Sequence, residues 1–587
     1  MKINNIKYLM AAALVGASLS SCEDFLDRPT EDSPTVQNYY QTDAQCISGV
    51  NYLYNSPWYD FQRGFFKVGE VLSGNYYWGS SPYLTFTVNS TDEDLRNMSY
   101  SLWAVNGHAT TVYNNIMNST GPSQKVKNQT MGECLLWKAM AYFYLVRTFG
   151  EVPIIHDIAA VIESQSYNDQ YKVQRADVYE YIIMTLEKAI ELLPEQCADG
   201  RLDKYCAKGL LAKVYLTKAG LGGSLSDADL KKAYDYALDV IDNSKRGLME
   251  NYADIFRLKN NNCQENMIAW RWTADGDNWT RQNTLQSDLA MVGFDEFGDC
   301  WGGYGGPSID LQEAFGVKPT DSPTDRASAD KDERRQATMM MAGDVYDYFW
   351  TDKGGFDYVK FMYNQKPETY TGDIPYGKGG PGELQSPTGA NEVKHLYGNA
   401  ADHLAATGVS ALNMASSLCT PILRLADVYL VFVEAKVLLD GGTTTDAKAL
   451  NVYAQVRGRA IDEYWGDQKS QLTFDDVWKE RRLELACEGD RWYDYVRLSY
   501  YNSDRAIKEI RNQKRNAWWN LGKTYKTYAE SGTWSVNTSE CMYDTETGKP
   551  NVTASSFTIP FPQEDLVFNP HLSEAAIHVD VRATYGY

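Results

Sequence analysis

Apolar residues recur at helical spacing through two long blocks of the chain. Ala207, Leu210, Leu211, Val214 and Tyr215 follow the i, i+3, i+4, i+7, i+8 rule and form one stripe of an amphipathic helix. Val178, Ile182, Leu186, Ala189, Ile190 and Leu193 form a second stripe, closed by Pro194 because proline cannot continue a helix. Gly132 to Arg147 and Pro421 to Leu439 carry wider apolar surfaces, which predicts two helices buried on more than one side. Leu230 to Ile241, Ala447 to Ile461 and Phe474 to Arg497 predict three more. Helices therefore come in pairs before about residue 245 and again after about 420, which suggests a mostly α fold of tetratricopeptide-like stacking, although no pair shows a clean 34-residue repeat.

Between about residues 255 and 415 the pattern gives way to Gly, Asp, Asn, Trp and Tyr, as in Arg271 to Asn283 and Gly298 to Pro307. This predicts a loop-rich lobe on a helical scaffold, and irregular backbone held by a rigid frame is where binding residues concentrate. The whole of 22–587 reads as a single domain, with scaffold over about 22–250 and 420–587 and the lobe over about 255–415.

The N-terminus predicts processing. Lys2 and Lys7 precede an apolar run from Tyr8 to Leu19 that stops at Leu19-Ser20-Ser21-Cys22, a lipoprotein signal peptide over 1–21 followed by a cysteine thiol placed for diacylglycerol transfer. Each acyl methylene buried in a bilayer contributes about 0.8 kcal/mol, so two or three chains on Cys22 would anchor the protein durably. No later segment predicts a membrane passage, since the most apolar one, Val428 to Leu439, is short and contains Glu434 and Lys436.

A formal net charge of -21 argues against nucleic acid or anionic lipid as ligand, because both demand Lys and Arg against phosphate. The 42 Tyr and 15 Trp exceed what a core of this size needs, and surplus Tyr and Trp favour recognition surfaces. Nine cysteines besides Cys22 make an odd number, without a CxxC pair, so a full disulfide framework is not expected; Cys134, Cys206 and Cys487 fall within helical patterns as small buried hydrophobes. No His-Glu-x-x-His or Gly-x-Ser-x-Gly appears, and no cofactor is expected. Gly377 to Gly382 fits GxGxxG and Gly372 to Lys378 fits GxxxxGK by chance, because Gly379 stands where a phosphate loop needs Ser or Thr and Pro381 blocks the following helix. A structural calcium site built from loop carboxylates stays open, without a DxDxDG loop.

The stretch Glu480-Arg-Arg-Leu-Glu-Leu-Ala-Cys-Glu-Gly-Asp-Arg-Trp-Tyr-Asp-Tyr-Val-Arg497 closely resembles the signature of the SusD/RagB family of nutrient-binding lipoproteins. Cys22 to Pro29, Trp137 to Ile155, Leu423 to Tyr429 and Ile559 to Pro570 resemble the same family in the same order, while Ala583 to Tyr587 departs from its usual close. The resemblance implies four tetratricopeptide-like helix pairs supporting an irregular ligand-binding lobe, over a SusC-like TonB-dependent transporter at the outer membrane. Glu23 and Asp24 resemble the acidic signal that sends such lipoproteins to the outer face, with a periplasmic orientation still open. Within the signature, Arg481 with Glu484 and Arg491 with Asp494 stand i, i+3 on a helix and read as internal ion pairs rather than as the site.

A glycan offers apolar ring faces that stack on Trp or Tyr and hydroxyls that bond Asn, Asp, Arg or Gln. Two stretches fit. One is Asn75 to Tyr83, with Asn75, Tyr77, Trp78 and Tyr83; the other joins Trp272, Asp277, Asn278, Trp279 and Arg281 to Trp301 and Tyr304, and Trp78 and Trp279 are the first choices. The expected function is capture of oligo- or polysaccharide for the transporter. A surface glycoside hydrolase is the alternative, with no carboxylate pair singled out among 77 Asp and Glu, and a peptide-binding or adhesive lipoprotein is another.

Overall fold

The computed structural model describes residues 39–274, 279–295, 300–364, 379–411 and 415–587. Cys22, Glu23 and Asp24 lie outside these residues, as do Asp277, Asn278 and 372–378.

Five helices stack in sequence: α1 (Glu93–Asn118), α2 (Gln124–Phe149), α3 (Arg175–Leu192), α4 (Lys204–Lys218) and α5 (Asp227–Asn243), each packed on the one before it. Helix α5 also packs on α6 (Leu425–Leu439), which carries α7 (Ala447–Ala460) and α8 (Phe474–Glu484) and is followed by α9 (Arg491–Asn512). Their starts are fixed by side-chain caps: Asp92, Ser123, Asp203 and Ser226 each accept a first-turn N–H that the helix leaves unpaired. The fold is mostly α, and one apolar core runs through both helical blocks, from Cys46 to Val581. The lobe between them has short helices, two- to five-residue strands and a smaller core around Phe294, Trp350, Phe361 and Tyr525.

Two expected helices are interrupted. Residues Thr420–Arg424 form strand β4, paired antiparallel with β2 (Asn266–Trp270), before α6 starts at Leu425; Pro421 lacks the N–H of a helix interior, and the segment is buried along both faces. The run from Phe474 to Arg497 breaks between α8 and α9, where Cys487 (φ 63°) and Gly489 (φ 77°) adopt left-handed backbone. Glu70, buried opposite, accepts the Cys487 N–H at 3.1 Å and the Gly489 N–H at 2.7 Å. A Cβ at position 489 would stand 2.1 Å from the Phe65 ring, so only glycine fits there. Cys487 thus sits in a turn, whereas Cys134 and Cys206 are helical and buried, and all three are free thiols. Helix α1 carries many Asn, Ser and Thr, and its hydrophobic periodicity does not stand out in the sequence.

The charged signature is an ion network, but a tertiary one. Arg481 bonds Asp427 of α6 at 2.7 Å and Asp494 of α9 at 3.3 Å rather than Glu484; Arg491 does pair with Asp494, at 3.3 Å. Glu484 is reached by Arg334 of the lobe, Arg424 of β4 and Arg459 of α7, at 3.0, 3.0 and 2.5 Å. Arg147 of α2 and Lys213 of α4 meet Asp490 at 2.9 and 2.5 Å. Taking charges out of water is costly, and here each guanidinium or carboxylate is met by several partners from different elements, which locks lobe and scaffold into one arrangement. No helix among the described residues is long and apolar enough to cross a membrane.

Candidate functional site

Strand β1 (Tyr76–Trp78) pairs antiparallel with β3 (Gly305–Pro307), Trp78 opposite Gly305. This pairing joins the two aromatic stretches through strands that lie more than two hundred residues apart in the sequence. Glycine is required on the β3 side, because a Cβ at Gly305 would press the Tyr76 ring at 2.8 Å and one at Gly306 would fall 2.0 Å from the Ala390 carbonyl. Trp301 precedes the turn Gly302–Tyr304 that feeds β3. Gly302 lets that turn lie against Asp288, whose carbonyl oxygen would be only 2.0 Å from a Cβ there.

A string of polar groups runs beneath the aromatics. The Lys67 amine lies 5.2 Å from the Trp78 ring centre and pairs with Asp94 in the first turn of α1. Arg63, half of its side chain exposed, approaches both Asp94 (3.6 Å) and Asp288 (3.8 Å). Asp288 accepts the Trp301 indole N–H at 2.9 Å. Burial pushes the Asp288 carboxyl up, opposed chiefly by Arg63 and by the bond from Trp301. Trp279 joins the same neighbourhood: its indole N–H donates to the Tyr59 hydroxyl, and the two rings lie edge to face at 6.4 Å. Burial raises the Tyr59 phenol, with Asp288 among the charges near enough to add to the effect. Trp279, Trp301 and Tyr304 remain 40, 50 and 57% exposed and Trp78 is half-buried, beside two cations, Arg63 and Lys67, and two carboxylates, Asp94 and Asp288.

Of the residues expected at the ligand, the structure brings together Trp78, Trp279, Trp301 and Tyr304. Arg281, half-buried, ends the turn Trp279–Arg281, and its carbonyl accepts the Thr273 N–H at 2.8 Å. Four others belong to the framework. Asn75 is fully buried, donating to Glu70 at 2.9 Å and accepting from Arg482 at 2.8 Å. Tyr83 is fully buried and donates to Asp92, the cap of α1, at 2.6 Å. Trp272 is buried with its indole N–H on Thr420 at 3.0 Å. Tyr77 points to the side of β1 opposite Trp78, as strand alternation requires, towards Asp544.

Sequence reasoning missed Tyr59, Arg63, Lys67, Asp94 and Asp288. Arg63 and Lys67 are spaced i, i+4 and share a face, the one available signal; Asp94 reads simply as a first-turn acid. Among the described residues no group of three or more His, Cys, Asp or Glu side chains is placed to hold a metal ion.

The SusD family model matches residues 206–578, and a second model, described as starch-binding associating with outer membrane, matches residues 24–216. A SusD-like protein of Bacteroides ovatus is 32% identical over 98% of this chain and 99% of its own length. A crystal structure with a xylogluco-oligosaccharide is 29% identical and superimposes with a TM-score of 0.74 over 91% of this chain and 99% of that one. A SusD homologue from Bacteroides thetaiotaomicron shares the fold at 19% identity, with a TM-score of 0.64 over 93% of this chain and 98% of its own. With one family model spanning most of its length and a full-length relative at that identity, the chain belongs to the SusD family.

Proposed function

We propose that this protein captures neutral oligo- or polysaccharide on the aromatic platform of Trp78, Trp279, Trp301 and Tyr304. Held to the outer membrane by lipid on Cys22 and facing the cell exterior, it delivers that glycan to a SusC-like TonB-dependent transporter. The observation that carries the reading is the join at β1 and β3, which sets exposed ring faces over a charge-balanced floor of Arg63, Lys67, Asp94 and Asp288. Ring faces stack on sugar C–H surfaces, the floor supplies hydrogen-bond donors and acceptors, and the balance of charge suits an uncharged ligand. The relative solved with a xylogluco-oligosaccharide supports the same ligand class. Asp94 and Asp288 make a poor hydrolytic pair: Lys67 and Arg63 hold Asp94, and Asp288 is tied to Arg63 and Trp301, whereas glycoside hydrolysis needs one carboxyl free to donate a proton.

Calorimetric titration of the ectodomain with soluble oligosaccharides, a xylogluco-oligosaccharide among them, tests the reading. Saturable binding without shorter products is expected, weakened about three- to tenfold by Trp78→Ala, Trp279→Ala or Trp301→Ala. Release of shorter sugars would make the protein a hydrolase, and affinity indifferent to all three substitutions would move the site elsewhere. Cys22→Ala should release the protein from the membrane fraction, and the anchored form should co-purify with a β-barrel partner.

A further inference from the structure

A second cleft, of about 590 Å³, opens on the far side of α1 from the platform. At 100° per residue, Asp94 faces the platform floor, while Arg96, Tyr100 and Trp103 point about 120 to 180° away from it and, with Asn97 at the edge, line the cleft. Tyr59, which holds Trp279, is followed directly by Asp60, which lines the cleft. The other wall comes from 153–170 and from 564–572, part of the family-like C-terminal stretch that the platform does not use.

The lining has the two chemistries of a sugar site. Tyr100 (68% exposed) stands on one side, and the stacked pair Tyr167 and Phe568, 5.6 Å apart and 20° from parallel, on the other. Two asparagines that line the cleft, Asn106 and Asn569, are more than nine-tenths buried, and each has an amide oxygen without a partner. Each amide nitrogen spends one of its two N–H groups on a backbone carbonyl, that of Ile155 (3.2 Å) for Asn106 and that of Gln170 (2.8 Å) for Asn569. A buried acceptor left unmet is unfavourable by about 1 to 3 kcal/mol. Asp60, Glu564 and Asp565 outnumber the single cation, Arg96, which itself pairs with Glu564 at 3.4 Å. That acidic excess repels uronic or sulfated sugars.

We infer that this cleft is a second binding site for neutral saccharide, separate from the platform and built on the opposite face of α1. Two sites flanking one helix would let a long glycan be held at two points, with avidity above that of either site. The inference shares its ligand class with the function proposed above and stands on different residues.

The test uses the chain carrying Trp78→Ala and Trp301→Ala, titrated calorimetrically with xylogluco-, cello-, malto- and laminari-oligosaccharides. Residual saturable binding to at least one of them is expected, weakened about tenfold or more by Tyr100→Ala or Phe568→Ala. Both positions are exposed, so the variants should melt with the parent. The inference falls if residual binding is absent, if it ignores both substitutions, or if aromatic peptides bind the cleft and sugars do not. Binding by the intact chain that vanishes with the platform would sink this inference alone; silence of the intact chain would remove both readings.

Discussion

Asp288 offers the sharpest test of how the platform works, because its main tie is to a platform residue. Its carboxylate fixes the Trp301 indole at 2.9 Å and stands 3.8 Å from Arg63, and its side chain is 8% exposed. Asp288→Ala removes the tether and leaves a half-exposed tryptophan free to turn. Fixing a side chain again on binding costs about 0.5 to 1.5 kcal/mol. Losing the partner of Arg63, a long and half-exposed pair, adds up to about 1 kcal/mol. Together these amount to roughly 1 to 2 kcal/mol, or a five- to thirtyfold rise in Kd. Asp288→Asn keeps an acceptor for the indole and should stay within about threefold of the parent. The assay is calorimetry with whichever oligosaccharide the parent binds most tightly, extended to a cycle with Trp301→Ala. A coupling of about 1 kcal/mol between the two positions is expected, since Asp288 acts through Trp301. Asp288→Ala within twofold of the parent would refute the tether. Asn as damaging as Ala would mean that the charge itself meets the ligand.

Two further predictions concern the signature network. Arg424→Met leaves Glu265, Glu484 and Glu488 without the guanidinium that bonds them at 2.6, 3.0 and 2.6 Å, and should lower stability by about 3 to 5 kcal/mol in urea unfolding while glycan affinity changes less than twofold. A loss below about 1 kcal/mol would show that Arg459, which also bonds Glu265 and Glu484, and Lys394, which bonds Glu488 at 2.8 Å, already suffice to neutralise those acids. The network also sets acid sensitivity. Burial alone would raise Glu484 and Asp427, but Arg459, Arg424 and Arg334 outweigh it at Glu484, and Lys213 and Arg481 at Asp427, so each is held at about 2. Unfolded carboxyls titrate near 4, so the unfolded chain takes up protons first as pH falls. The stabilisation is complete above about pH 5 and drains away between about pH 4 and 2, at about 1.4 kcal/mol per unit of depression for each group. Urea midpoints measured from pH 6 to pH 3 should fall steeply, and a flat profile would count against the ion pairs.

The helices were legible wherever one face is apolar and the other wet: α3, α4 and α5 lie within a few residues of where the sequence pattern puts them. The failures have a common cause. Pro421 and Gly489 each stop a helix for a reason supplied by a distant segment, β2 in one case and the Glu70 carboxylate with the Phe65 ring in the other. The platform repeats that lesson. Trp78, Trp279 and Trp301 were visible as aromatics in loops, but nothing local distinguishes them from Trp272, which is core, or Trp78 from Tyr77 beside it, which alternation turns away. What separates these exposed rings from the framework is the pairing of β1 with β3, and that pairing rests on the buried ions. Glu70 bonds both Asn75, which leads into β1, and the turn between α8 and α9, while Arg482 on α8 bonds Asn75 from its other side. The charged signature thus fixes the strand that presents Trp78. Its residues read as helix-face ion pairs in sequence because their partners, Arg147, Lys213, Arg334 and Asp427, are scattered over nearly three hundred positions and meet only in the folded chain.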